Sequence, residues 1–188
     1  MAIEVTGLRK GVTFELDGNI YRVLEYHHHK PGRGKAIIRV KARDLRSGAI
    51  VEKTFLSGNE VQEAPMDYRT AQFLYTDGSM YHFMDTDTYE QYAIPAEVME
   101  DAAPYLLEGM EVKIAFYKGE ALDVELPTTV DLEVVEAEVA VKGDTATGLT
   151  KKVKTQTGLE VEVPHFVEKG DIIRVDTRTG TYVTRVKK

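Results

Sequence analysis

Apolar and polar residues alternate along most of this chain with a period of two. That pattern marks strands that bury one face and wet the other. Phe14 and Leu16 lead into the turn Asp17-Gly18-Asn19, and a second run follows through Ile20–Tyr26. After the loop Lys30-Pro-Gly-Arg-Gly-Lys35 the alternation is clean: Ile38, Val40 and Ala42 point one way, Arg39, Lys41 and Arg43 the other. Arg46-Ser-Gly48 turns the chain into Ile50–Phe55. Five short strands with tight turns, in about sixty residues, predict a small SH3-like barrel. Glu63-Ala-Pro65 closes it, so the first module is expected over 1–65.

Beyond that boundary, Ala71–Tyr75 and Met80–Met84 flank Thr76-Asp-Gly78, a hairpin signal. Pro95 opens one expected helix, Ala96–Leu107, which Gly109 ends. Proline at a first helical position and glycine just past the last are the usual helix-end choices. Val112, Ile114 and Phe116 alternate, turn at Tyr117-Lys-Gly119, and return as Leu122, Val124 and Leu126. Pro127-Thr-Thr marks a second boundary. Val130, Leu132 and Val134 then alternate with acids, as do Leu159, Val161 and Val163, and Ile173–Val186 around Thr177-Arg-Thr-Gly180. Lys142–Thr157 is polar and rich in Gly, Thr and Lys, and it reads as a long loop. The stretches 66–127 and 128–188 each have the size of an OB-type barrel, a fold much used on oligonucleotides. The expected fold is therefore all-β, with an SH3-like barrel followed by two OB-fold barrels.

Composition removes several alternatives. The 188 residues are 43% apolar and 29% charged, ordinary for a globular chain. Cysteine is absent, so disulfides and thiolate metal sites are too. No apolar run approaches the ~20 residues of a membrane span. Met1-Ala-Ile-Glu-Val lacks the basic stretch and apolar core of a signal peptide, so a cytoplasmic protein away from membranes is expected. The net charge of -7 hides a division. Residues 1–65 carry 11 basic and 8 acidic side chains, net +3; residues 66–130 carry 3 and 13, net -10; residues 131–188 balance at 10 and 10. Distinct modules with distinct neighbours follow from such segregation, and any phosphate-facing surface belongs mainly to the first third.

The loop Lys30–Lys35 carries the most chemistry. Pro31 fixes φ, Gly32 tolerates positive φ, and Gly34 frees the backbone beyond Arg33. Arg33 is thereby expected to stand at a hairpin tip, flanked by Lys30 and Lys35, with Arg39, Lys41 and Arg43 forming a basic face on the next strand. A planar guanidinium pairs with phosphate or stacks on a base. An ordinary solvated hairpin with incidental charges accounts equally well for the grammar of the loop, since short glycine motifs match often.

Other candidates weaken on inspection. His27-His28-His29 cannot converge on one ion, because successive strand side chains face opposite ways. Asp85, Asp87 and Glu90 lack the spacing of a calcium loop and read as a solvated acidic face. Ser47, Ser57 and Ser79 sit in turns, none in a nucleophile elbow. No catalytic residue, metal or cofactor is expected. The segment Lys142-Gly-Asp-Thr-Ala-Thr-Gly148, followed by Lys151, Lys152 and Lys154, is a second loop whose amides and hydroxyls suit RNA sugar or phosphate.

Together these pieces resemble the bacterial elongation factor P family, along essentially the whole chain. The resemblance rests on His29-Lys-Pro-Gly-Arg-Gly-Lys35, Lys53-Thr-Phe, Tyr75-Thr-Asp-Gly, and Phe83-Met-Asp followed by Thr88-Tyr-Glu-Gln91. In the last third it rests on Gly143-Asp-Thr-Ala, Val163-Pro164 and Val175-Asp-Thr-Arg-Thr-Gly180. Gly143-Asp-Thr sets it apart from the elongation-factor-P-like sister group.

The resemblance implies three barrels in an L-shaped, tRNA-like arrangement, and a monomer that binds both subunits of the ribosome between the peptidyl and exit sites. It implies that the tip loop Lys30, Pro31, Gly32, Arg33, Gly34 and Lys35 reaches the acceptor end of the peptidyl tRNA and assists bond formation on stalled ribosomes, notably at consecutive prolines. Gly143, Asp144, Thr145 and Gly148 would face the small subunit. Many relatives carry lysine at the tip, which a dedicated enzyme extends. Arg33 offers no ε-amine to acylate, and the arginine-tipped relatives that receive a sugar lack this Pro-Gly-x-Gly frame. A tip-modifying enzyme, where one acts, would address Arg33 or Lys35. Lys152-Val153 also departs from the family's usual Pro-Ala. The rival reading is a generic single-strand-binding OB protein with salt-sensitive affinity for free oligonucleotides; an enzyme is a distant third.

Overall fold

The computed structural model describes residues 1–139 and 149–186. These form sixteen strands, two short 3-10 turns and three antiparallel sheets, so the fold is all-β. They divide into two compact units, 1–100 with 113–125, and 101–112 with 126–188.

The first sheet comprises β1 (Ala2–Glu4), β2 (Thr13–Leu16), β3 (Asn19–His29), β4 (Ile37–Asp44), β5 (Ile50–Leu56) and β6 (Glu60–Glu63). Their order is β1-β6-β2-β3-β4-β5, one strand more than the five expected. Alternation fills the core: Phe14, Tyr21, Val23, Ile38, Val40, Ala42 and Val61 are buried together with Val5 and Leu8. Asp17 (φ 54°) and Gly18 (φ 82°) both turn left-handed between β2 and β3, the geometry that matches strand twist in a two-residue hairpin.

The second sheet contains β7 (Asp67–Thr76), β8 (Met80–Asp85), β9 (Gln91–Pro95), β10 (Glu111–Tyr117) and β11 (Glu120–Glu125), in the order β11-β10-β7-β8-β9. Its edges β9 and β11 lie against each other, so the sheet curls toward closure. Phe73 and Phe83 pack in its core with ring centroids 5.4 Å apart.

The helix expected over Ala96–Leu107 does not form. Residues 96–102 are successive turns, and only Ala103–Tyr105 makes a 3-10 turn. Pro104 rules out a helix running through to Leu107: inside one it lacks the N–H for a bond to residue 100 and its ring strikes that carbonyl. Residues 96–100 stay with the first unit, while 101–112 serve the second, where Tyr105, Leu107 and Met110 pack on the core of the third sheet.

That third sheet is β12 (Thr129–Ala137), β13 (Thr150–Thr155), β14 (Glu160–Pro164), β15 (Ile172–Asp176) and β16 (Thr181–Val186), ordered β14-β13-β12-β15-β16. Edges β14 and β16 are again in contact. β13 falls inside the stretch read as a long loop. Its inward positions are Lys151, Val153 and Thr155, so only one of three is apolar and the alternation is masked. Lys151 is tolerated inside because its ammonium reaches Glu168 at 3.5 Å.

Candidate nucleic-acid interface

The tip loop is held by the longest hairpin of the first sheet. β3 runs eleven residues, and past a bulge between Val23 and Glu25 it pairs His27 with Arg39, His28 with Ile38 and His29 with Ile37. Ile38 is fully buried and Ala36 nearly so, which anchors the foot of the hairpin. Ser57 N–H donates to the Ala36 carbonyl at 2.9 Å and ties that foot to the β5–β6 turn. Beyond it, Lys30, Gly32, Arg33, Gly34 and Lys35 are exposed and Pro31 is half-buried. A rigid base carrying a solvated cationic end is the layout in which binding residues sit on a loop and the scaffold supplies precision.

The left-handed residue of the loop is Gly34 (φ 92°); Gly32, expected to take that role, does not. A Cβ on either glycine would meet nothing within 4 Å, so both leave open space around Arg33. Lys35 leans toward Gly58, its Nζ 3.9 Å from where a Cβ there would stand.

The basic strand face is shorter than its alternation implies. Arg39 and Lys41 are exposed. Across the sheet Arg39 has His27 and Thr54 as neighbours, whereas Lys41 has Glu25 and Glu52, so acids flank Lys41 on both sides. Arg43, placed on the same face by its spacing, is 1% exposed and removed from any phosphate surface. Its Nη1 donates to the carbonyls of Gly48 (2.9 Å) and Glu97 (3.1 Å) and lies 3.4 Å from a Glu100 carboxylate oxygen. An arginine is stable there only because acceptors replace the water it gives up. Nothing in local spacing separates Arg43 from Arg39, since the covering residues come from more than fifty positions away.

Acids of the second sheet have structural work of their own. Asp85 is buried, and its Oδ1 accepts the N–H groups of Thr88 (3.0 Å) and Asp87 (2.8 Å). Those bonds hold its carboxyl below the usual carboxylate range. Asp77 accepts from His82 Nε2 at 3.0 Å and from the N–H groups of Met80 and Ser79, and it too is held low, chiefly by the histidine. Gly143, Asp144, Thr145 and Gly148, the expected small-subunit loop, lie outside the described residues.

Fold and loop together define a class: a multi-barrel factor whose first barrel extends an exposed, glycine-framed arginine. Family comparison agrees along the chain. Residues 4–61 match the elongation factor P KOW-like domain, 66–124 the elongation factor P OB domain, and 130–185 the elongation factor P C-terminal domain. Curated relatives named elongation factor P come from Thermotoga maritima (51% identical over 97% of this chain and 99% of the relative), Coprothermobacter proteolyticus (49%, 98% and 99%) and Moorella thermoacetica (46%, 97% and 99%). Among solved structures, the eukaryotic translation initiation factor 5A from Methanococcus jannaschii aligns over 66% of this chain and 95% of its own at TM-score 0.45 and 26% identity. The chain belongs to the elongation factor P family of translation elongation factors.

Proposed function

We propose that this protein binds the ribosome between the peptidyl and exit sites and promotes peptide-bond formation when the ribosome stalls, notably at consecutive prolines. The observation that carries this reading is the hairpin tip: Arg33 exposed between two lysines, on a base anchored by buried Ile38 and Ala36. Such a tip holds the acceptor end of a peptidyl tRNA by phosphate pairing and base stacking. Proline is a constrained donor and acceptor, so holding the tRNA end in place contributes orientation to the reaction. A positioning role of this kind asks for no proton transfer from the factor. Three modules follow from the same reading, 1–65, 66–127 and 128–188, in a cytoplasmic monomer. Gly143, Asp144, Thr145 and Gly148 address the small subunit, and contact at two distant RNA surfaces adds avidity. Arg33 and Lys35 are the positions open to a tip-modifying enzyme.

The test is a purified translation system making a peptide with consecutive prolines. Rescue on adding the protein, together with co-sedimentation with ribosomes, is the expected result. Absence of both overturns the proposal. Salt-sensitive binding to free oligonucleotides without ribosome dependence assigns the chain to single-strand binding instead.

A further inference from the structure

The first two sheets share one compact unit, and the surface joining them is built from the charge division of the sequence. Arg43, at the end of β4 away from the tip loop, passes its buried guanidinium to Glu97 and Glu100, which follow β9. Arg22 on β3 pairs with Asp123 on β11. Arg46 reaches Glu120 on β11 at 3.2 Å. Tyr117, at the end of β10, donates its hydroxyl to Glu15 on β2 at 3.1 Å. In each ion pair the cation comes from the first sheet and the acid from the second. Steric fit is equally tight at Gly48. It is buried with φ 78°, and a Cβ there would stand 2.3 Å from Glu97 Cβ and 2.6 Å from its carbonyl carbon.

We infer that Arg43 and Gly48 are positioning residues, which seat the first sheet on the second and so fix the direction in which β4 carries the tip loop. Arg43 and Arg22 stand directly opposite each other across β3 and β4. Like charges so placed repel, and the second sheet brings an acid to each, Asp123 to Arg22 and Glu100 to Arg43. Undocking would take those two acids away from a facing pair of cations, and docking returns them. The strand is a lever: at ~3.3 Å per residue the six residues from Arg43 back to Ile37 span ~20 Å. A tilt of roughly 10° at the joint then moves the loop by about 3 Å, and misplacements of that order are costly where catalysis is orientation. Asp123, Glu100 and Glu120, three of the acids of residues 66–130, act here as the counter-charges for the first module.

The experiment compares Gly48→Ala with Gly78→Ala. Both glycines have positive φ (78° and 94°), so both variants carry the same kind of backbone strain. Only Gly48→Ala adds a clash, since a Cβ on Gly78 meets nothing within 4 Å. Amide 15N relaxation should give one common tumbling time for residues 4–61 and 66–100 in the native protein and in Gly78→Ala. Two distinct, shorter times are expected in Gly48→Ala. In the polyproline assay, which rests on the function proposed above, the saturated rescue rate should fall about tenfold while ribosome affinity changes less than threefold. Simple loss of folded protein would instead raise the half-saturating concentration and leave the saturated rate alone.

A single tumbling time in Gly48→Ala overturns the joint, and needs no ribosome to do so. Uncoupled tumbling with undiminished saturated rescue overturns the positioning role. No rescue by the native protein overturns the proposed function and leaves the joint to the relaxation data. If Gly48→Ala does not fold, the exposed pair carries the test: Arg46→Glu should loosen the coupling and Arg46→Glu with Glu120→Arg should restore it, and failure of that restoration sinks the inference.

Discussion

Arg33 and Arg43 are the same amino acid ten positions apart, and they have opposite fates. Arg33 is exposed, with open space beside both neighbouring glycines. Arg43 has carbonyls and a carboxylate in place of water. Substitution should separate the two. Arg33→Ala removes no internal contact, and exposed changes of that kind stay within about 0.5 kcal/mol. The melting temperature should move by no more than ~2 °C, while rescue of polyproline synthesis drops at least tenfold. A loss of thermal stability comparable to the loss of rescue would show Arg33 to be a structural residue. Gly34 shows how much of the loop was legible residue by residue: glycine in the frame announced a left-handed position, but which of the two glycines takes it depends on how the foot of the hairpin is tied.

At the scale of elements, the strands were largely readable and the exceptions have causes. Phe14, Ile38, Val40, Phe73, Phe83, Ile114, Leu132 and Ile173 all lie at inward positions of alternating runs, and all are buried. β13 is masked in the sequence because a lysine and a threonine occupy two of its three inward positions. The expected helix does not form: Pro95 and Gly109 suit helix ends, but Pro104 between them is a break. β4 carries a prediction of its own. Arg39 lacks a facing acid, whereas Lys41 stands between Glu25 and Glu52. In salt titrations of ribosome binding, Arg39→Ala should lower the log-log slope by ~1, as for one lost phosphate contact. Lys41→Ala should lower it by distinctly less. Equal slopes for the two variants would show that the register-paired acids do not screen Lys41.

Across the whole molecule the acids set how stability responds to pH. In the second unit Asp176 is held down to about 2, first by its side-chain bond to Arg178 and then by the Arg178 N–H. Asp77 and Asp85 are lowered in the first unit, by His82 and by the N–H of Thr88 respectively. Each has a folded-state pKa below its unfolded value. Their contribution is therefore present above the unfolded carboxylate pKa of about 3.9 and is lost as pH falls through the folded values. Melting temperature should be nearly flat from pH 7 to about 5 and fall steeply between about 4 and 2. Asp176→Asn should shallow the fall without moving the neutral plateau upward. A stability maximum near pH 3 would contradict the sign of all three shifts.

The sequence by itself determined the all-β class, the positions of most strands, the solvated glycine-framed loop and the division of charge between modules. These are properties of near neighbours: a period of two places side chains on faces, glycine and proline place turns, and charge counts need no geometry. Tertiary structure alone decided which cation on β4 meets solvent, where the acid of the second module is used, and that residues 101–112 complete the core of the second unit. Alternation puts Arg39, Lys41 and Arg43 on one side of a strand, but whether that side is covered depends on groups far away in the chain. A guanidinium accepts either water or carbonyl oxygens, so its identity does not announce which it will have. Gly48 has the same ambiguity: in the sequence it is a plain turn residue, and only the fold sets Glu97 against it, at a distance that no residue with a side chain could share.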